Sequence, residues 1–267
     1  MESMGTNNKQ KKKIKSTLKA FDILETIAEL EKPSVTDIAN EVDYSRSTVH
    51  YHLQTLQQRR YVARDEEGLR LGLRMARLGD LALQNHRLSG IVEEPTDELA
   101  EDIGGVAHTA VRHRNKLLWL YRSRGSSIED LPTDLGKETE LHWTAYGQAI
   151  LAHLPKETID TFVSESSLPA QTENTLTSRE ELEERLSMVR QVGFAYSSKE
   201  FKEGFASIAS PIVDANGGVI GAVGITNVDN RIEDPYLHSK ARRHFDGIAS
   251  RVKDTARVVS DNLIEND

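Results

Sequence analysis

Apolar positions in the first quarter of the chain fall at helical spacing, then switch to alternation. Leu18, Phe21, Ile23, Leu24, Ile27, Ala28 and Leu30 supply the apolar side of a helix over 17–30. Glu31-Lys32-Pro33 ends it, because proline disfavours helix at the residue before it. Ser34 is an N-cap for a second, shorter helix with Ile38, Ala39 and Val42 on one face. Val49, Leu53 and Leu56, at i, i+4 and i+7, form the stripe of a third, opened by Asp43 or Ser45. Tyr61-Val62-Ala63-Arg64 and Leu69-Arg70-Leu71 then read as two strands across the Gly-containing turn Asp65-Glu66-Glu67-Gly68. Three helices followed by a hairpin predict a winged helix-turn-helix.

The other face of the third helix carries Ser45, Arg46, Ser47, Thr48, His50, Tyr51 and Gln54. Short hydroxyl side chains are poor helix formers, so a merely solvated face would sooner carry Glu and Lys. Hydrogen-bonding groups at the start of a helix docked on a three-helix core suit the major groove of double-stranded DNA. Arg64 and Arg70, one on each hairpin strand, are the matching candidates for phosphate or minor-groove contact.

Beyond the hairpin, Leu71, Met75, Leu78 and Ala82 step by four, three and four, with Leu81 beside them. This stripe, in a helix over 72–88, packs either on its own winged head or, the reading we favour, along a seam between two subunits. Residues 85–95 read as a linker, and a further helix over 96–102 stops at Gly104-Gly105. Strands follow over 106–112 and 117–122, around Asn115-Lys116, and then a loop over 124–137. Helices are expected over 141–154, with the start near Thr144, over 158–164, and over 178–191, where Ser178 and Glu181 form a capping box. Strands over 194–197, 206–213 and 219–226 precede a long helix over 236–263, and Asn216-Gly217 marks the hairpin between the last two strands. Strands and helices segregated in this way predict an α+β fold.

Two sets of residues carry a resemblance to a known family. The stretches STLKAFDILETIAE, TDIANEVDYSRSTVHYHLQTLQQRRYV and LRLGLRMARLG resemble the DNA-binding domain of IclR transcriptional regulators. The family's basic-Ser-Thr-Val-His run is Arg46 to His50 here, and Tyr51 stands where the family usually has Arg. In the second half, Gly136, His142, Thr144, Ala145, Gly147, Ala149, Ile150, Leu151 and Ala152 match the helix beside the family's effector pocket. So does the run Gly193, Ser197, Glu200, Gly204, Ser207, Ile208, Ala209, Pro211, Ile212 and Asp214.

Residues 1–13, lysine-rich and without periodicity, read as a basic disordered arm, and the resemblance implies the winged head over 14–72, a linker helix over 73–90 and a GAF-like effector-binding domain over 91–267. It implies a homodimer or homotetramer on a palindromic operator, controlled by a small organic metabolite. The effector pocket it implies is lined by Ala145, Tyr146, Ser197, Ser207, Gly224 and Thr226, with Ile208, Ile225, Leu141 and Trp143 as its walls. Ser197 stands where an acidic residue is frequent and Tyr146 where a small residue is common, so Tyr146 should fill part of the cavity. The first amides of the helix that Thr144 opens would take the anionic end of a ligand.

Charge sharpens the division. The net charge of −8 alone argues against nucleic acid, yet residues 1–90 hold 15 Lys and Arg against 12 Asp and Glu. The front is mildly basic and the rest carries the acidity. The chain has no cysteine, so no disulfide, thiolate metal site or thiol nucleophile is possible. No signal-peptide core or run of roughly 18 apolar residues is present, and a cytoplasmic protein without membrane contact is expected. Catalytic signatures are absent: no Gly-x-Ser-x-Gly, His-Glu-x-x-His or phosphate-binding loop occurs. No cofactor or metal is expected, and His108, His113, His142 and His153 read as core or solvated histidines. An enzyme with a DNA-binding head, or a DNA-binding architectural protein without a ligand, are the alternatives.

Overall fold

A computed structural model describes residues 13–125, 131, 133–228 and 239–266, which form two compact units, one ending at Asn85 and one beginning at His86. The expected basic arm lies almost wholly outside the described residues.

The first unit contains α1 (Lys15–Glu29), α2 (Val35–Glu41), α3 (Arg46–Gln58), β1 (Val62–Arg64), β2 (Leu69–Leu71) and α4 (Arg74–Gln84). Ser34 caps α2 through a capping box with Asp37, and Ser45 caps α3 by accepting the Thr48 amide. Ile23, Leu24, Ile27, Ile38, Ala39, Val49, Leu53, Val62 and Leu69 close one core between the three helices and the hairpin. At roughly 1.5–3 kcal/mol per fully buried aliphatic side chain, this cluster is what holds α3 in place. The Tyr44 hydroxyl donates to the Asp22 carboxylate and ties the α2–α3 turn to α1.

Two expectations change here. Leu18 and Phe21, assigned to the apolar side of α1, are 43% and 56% exposed, because Ile23, Leu24 and Ile27 define the face that docks. Of the stripe expected beyond the hairpin, Leu71, which ends β2, and Met75 on α4 pack against the head's own core, whereas Leu78 and Leu81 on α4 are exposed. The helix ends at Gln84, short of the expected position 90, and Leu88 is buried in the core of the second unit.

The second unit is built on a six-stranded antiparallel sheet in the order β5-β4-β3-β8-β7-β6. Its strands are β3 (Val106–His113), β4 (Lys116–Arg124), β5 (Glu138–Glu140), β6 (Ala195–Ser198), β7 (Phe205–Val213) and β8 (Val219–Val228). One face packs on α5 (Glu93–Ile103) and the long α9 (Ser239–Asn266) through Ile208, Ile225, Phe245, Ile248, Val252 and Val259. The other face packs on α6 (Ala145–Ala152) and α8 (Arg179–Val192), with α7 (Lys156–Ser166) alongside. Ser178 and Glu181 form the expected capping box of α8, and Gly193 ends it at φ 81°. The strand β5 falls between the loop expected over 124–137 and the helix expected from 141, at three residues with no alternation to betray it. The start of the last helix, with Leu237, falls outside the described residues.

Candidate DNA-reading face and effector site

On α3, Arg46, Ser47, His50, Tyr51 and Gln54 are exposed together on the face opposite the buried Val49 and Leu53. Tyr51 is 70% exposed, and its ring lies 6.2 Å from that of His50. The Ser45 hydroxyl is within 3.0 Å of Ser47 Oγ and 2.9 Å of Thr48 Oγ1. Thr48, expected outward, is half-buried and belongs to this cap rather than to the open face. Arg64 and Arg70 are exposed on the wing. Arg70 Nε donates to Asp65 Oδ2 at 3.0 Å, and this bond holds the Asp65 carboxyl below its ordinary value.

In the second unit, strand register brings distant residues onto the α6 side of the sheet. Ser207 pairs with Thr226 and with Ser197, and Gly224 pairs with both Ala209 and His108. Ser207 Oγ lies 2.9 Å from Thr226 Oγ1, which lies 3.4 Å from the Tyr146 hydroxyl. That hydroxyl is 3.3 Å from His108 Nδ1, and His108 Nε2 is 2.8 Å from Thr133 Oγ1. The result is a chain of five polar side chains, supplied by β7, β8, α6, β3 and the segment before β5.

His108 is fully buried, and that burial, with Arg122 across the strand pair, pushes its pKa down to about 3 against its hydrogen bond to the Val106 backbone. It is a neutral donor–acceptor at any physiological pH. Burial likewise raises the Tyr146 hydroxyl far above its usual range, so it stays protonated. Trp119 completes the site: its ring stands 4.7 Å from His108, 5.1 Å from Tyr146 and 6.4 Å from Phe201. Trp119 is 2% exposed, yet its indole N–H has no hydrogen-bond partner among the described residues. A buried donor left unmade costs about 1–3 kcal/mol, so it marks a place where an acceptor belongs.

Of the six expected pocket residues, Tyr146, Ser207 and Thr226 form the chain itself. Ser197 is buried beside it and is bonded to the Glu200 carboxylate. Ala145 is buried at the start of α6, where Thr144 Oγ1 accepts the Gly147 amide at 3.0 Å. Gly224 is a packing requirement: a Cβ there would sit 2.2 Å from the Ile208 carbonyl oxygen. The expected walls need correction. Ile208 and Ile225 alternate onto the opposite face and bury against α5 and α9, so they cannot line this site. Trp143 is half-buried and donates its indole N–H to the Pro169 carbonyl at 2.8 Å, while Leu141 is buried on the α6 side.

Sequence reasoning missed His108, Trp119 and Thr133. It also missed a second buried cluster, in which Glu200 accepts from Gln148 at 2.6 Å and from Arg185 at 2.9 Å. Burial raises the Glu200 pKa, and Arg185, Gln148 and Ser197 oppose that shift. Arg185 also donates to Gln148 and to the Tyr196 carbonyl, so the cluster ties α6 and α8 to the segment after β6. Among the described residues no group of three or more His, Cys, Asp or Glu side chains could hold a metal, and no helix is long and apolar enough to cross a membrane.

A winged helix-turn-helix with an open polar face, joined to a sheet domain with a buried polar site, defines a DNA-binding regulator with a ligand-sensing domain. The chain belongs to the IclR family of transcriptional regulators: residues 16–66 match the IclR helix-turn-helix domain and residues 80–261 the bacterial transcriptional regulator IclR C-terminal domain. It is 30% identical over 248 residues to the HTH-type transcriptional regulator KdgR of Dickeya chrysanthemi, covering 90% of this chain and 81% of that protein. The Thermotoga maritima IclR crystal structure matches with a TM-score of 0.78 at 23% identity, covering 93% of this chain and 98% of that one. An IclR homologue from Microbacterium hydrocarbonoxydans, crystallised with 4-hydroxybenzoate, matches with a TM-score of 0.77 at 20% identity, covering 93% and 98%. The relatives are named as regulators, a non-enzymatic role.

Proposed function

We propose that this regulator binds a palindromic operator as a homodimer or homotetramer in the cytoplasm and responds to a small organic acid held in the second unit. Arg46, Ser47, His50, Tyr51 and Gln54 read base edges, and the wing arginines hold phosphates. Subunits pair through the apolar side chains that single heads leave exposed: Leu73, Leu78, Leu81 and Leu83 on or beside α4, and Ile14, Leu18 and Phe21 on or beside α1. A symmetric pair of heads is what a palindromic site requires.

The observation that carries the sensing half is the His108–Tyr146–Thr226–Ser207 chain with the orphan Trp119 N–H beside it. The ligand offers an oxygen acceptor to Trp119 and to the hydroxyls, and its apolar part lies against the aromatic rings. The 4-hydroxybenzoate in the Microbacterium protein has that combination of carboxylate and ring. Entry requires the Tyr146 ring to shift, because it fills the space between His108 and Thr226. The ligand acts on DNA only through unequal affinity for two head arrangements.

A thermal-shift screen of small carboxylic acids, aliphatic and aromatic, tests this. Hits should raise the melting temperature of the wild type. Ser207→Val should lose about 1–3 kcal/mol of ligand affinity while DNA binding without ligand is unchanged. A hit whose shift is the same in Ser207→Val removes Ser207 from the site, and no hit among such acids leaves the architectural reading.

A further inference from the structure

The polar face of α3 does not end at Gln54. Gln57 is the next position of the same stripe, and it lines a concavity of about 800 Å³ on the head together with Arg60, Arg70, Arg74 and Arg77. The sequence reading left Arg60, Arg74 and Arg77 unassigned. Local geometry brings them together. Arg60 adopts a left-handed backbone (φ 64°) at the end of α3, and a Cβ on Gly72 would lie 2.2 Å from its carbonyl oxygen. The Gly72 amide donates to the Tyr61 carbonyl at 2.8 Å. The turn into the wing is thus pressed against the turn out of it, and the start of α4 lands beside the end of α3. Arg74 stacks over the Tyr61 ring at 5.1 Å and donates to the Arg59 carbonyl at 3.3 Å. The lining holds four guanidinium groups and, among the described residues, no carboxylate, although Arg70 is bridged to Asp65 outside the lining.

Helix geometry identifies the polyanion that fits. The 13 residues of α3 span about 20 Å, and the major groove is about 12 Å wide. With the first turns of α3 in the groove, its last turn stands outside, beside the sugar–phosphate wall. We propose that the arginine concavity is a backbone clamp that holds operator phosphates at the end of the reading helix, formed jointly by α3, the wing and α4. This rests on the reading that α3 enters the major groove. The clamp places DNA contact on the helix that carries the exposed Leu78 and Leu81, so subunit pairing and phosphate capture share one rigid element.

Phosphate contacts are independent of sequence, so a random-sequence duplex of roughly 30 base pairs serves as the probe. Fluorescence anisotropy across a salt series compares the wild type with Arg60→Ala/Arg77→Ala, both exposed side chains, after thermal melts confirm equal folding. The slope of log K against log salt should fall by about 2, near 0.9 per lost phosphate contact. Arg60→Lys/Arg77→Lys should recover most of it. An unchanged slope in the alanine variant overturns the clamp while leaving the reading helix intact. Unchanged DNA binding with altered reporter transcription also overturns it and assigns the concavity to an acidic protein. A wild type that binds no duplex at all sinks clamp and reading head together.

Discussion

The head and the sheet domain hold their functional polar side chains in opposite ways. On α3 the candidate reading groups are exposed, and among the described residues their side chains have no hydrogen-bond partner apart from the Ser45 cap, with the His50 and Tyr51 rings in contact. In the sheet domain His108, Tyr146, Thr133 and Thr226 are all buried and bonded to one another, with only Ser207 half-buried. A surface that waits for DNA can leave its donors to water. An interior site cannot, because each unpaired buried group costs free energy, so its polar groups bond to one another. On the proposed function, the open face is ready at once and the closed site must be opened.

The largest effect should come from making the head's exposed apolar stripe unable to pair. Leu78→Glu leaves the isolated head folded, since Leu78 is 51% exposed there. A carboxylate in an apolar seam is costly, so the assembly should fall to monomers in sedimentation. Affinity for a full palindrome should drop by about 100-fold or more, as the second half-site contact is lost. An unchanged sedimenting mass would break the contrast, because the stripe would then have some other cover.

A smaller but substantial loss is expected inside the sheet domain. Glu200→Ala removes the acceptor for Gln148 and Arg185, and Arg185 is left a largely buried cation. Breaking such a pair costs about 3 kcal/mol in urea unfolding. Glu200→Gln, which keeps an acceptor oxygen, should cost less. A loss below about 1 kcal/mol would mean that this cluster is hydrated like the head's surface.

These two regions were also unequally legible in sequence. The core of the head was legible, since period alone separates the buried Val49 and Leu53 from the exposed Arg46 and His50 within α3. The elements of the sheet domain were legible, and the family resemblance reached Tyr146, Ser207 and Thr226, but His108, Trp119 and Thr133 were not legible as their partners. His108, Trp119, Thr133, Tyr146 and Thr226 are distant in sequence and meet only through strand register. Register also decided the error over Ile208 and Ile225: a one-residue step along a strand exchanges faces, so the neighbours of Ser207 and Thr226 point away from them. A bulge between Thr109 and Ala110 further shifts the pairing of β3 with β4, where Trp119 lies. No single-strand pattern could place that indole. The orphan Trp119 donor is visible only once its surroundings are known.

Closure of the interior site has a pH signature. Folded His108 has its pKa depressed to about 3 from an ordinary 6.5, chiefly by burial. Below pH 6.5 the unfolded chain takes up this proton and the folded chain does not, so stability falls as pH drops. The slope is at most about 1.4 kcal/mol per pH unit, or about 2 kcal/mol by pH 5. His108→Gln should remove that part of the difference between unfolding free energies at pH 7 and pH 5. The depressed His86 and His142 keep their share. An identical pH dependence in the variant would mean that water reaches His108 in the folded protein.

The smallest effect lies on the wing, and it tests whether the open face is as unencumbered as its exposure suggests. Arg70 is bridged to Asp65 at 3.0 Å, and Asp65 also accepts the Glu67 and Gly68 amides at 3.1 and 3.2 Å. A phosphate approaching Arg70 must therefore compete with a carboxylate that the turn itself holds in place. Asp65→Asn keeps an oxygen for those amides and removes the competing charge. Binding to random-sequence duplex should strengthen by a few-fold, consistent with the roughly 0.2–1 kcal/mol that exposed ion pairs are worth. The gain should shrink as salt rises, because it is an interaction between exposed charges. Weaker binding in Asp65→Asn would mean that the bridge positions Arg70 for DNA instead of restraining it, and the wing would then be a preformed part of the reading head.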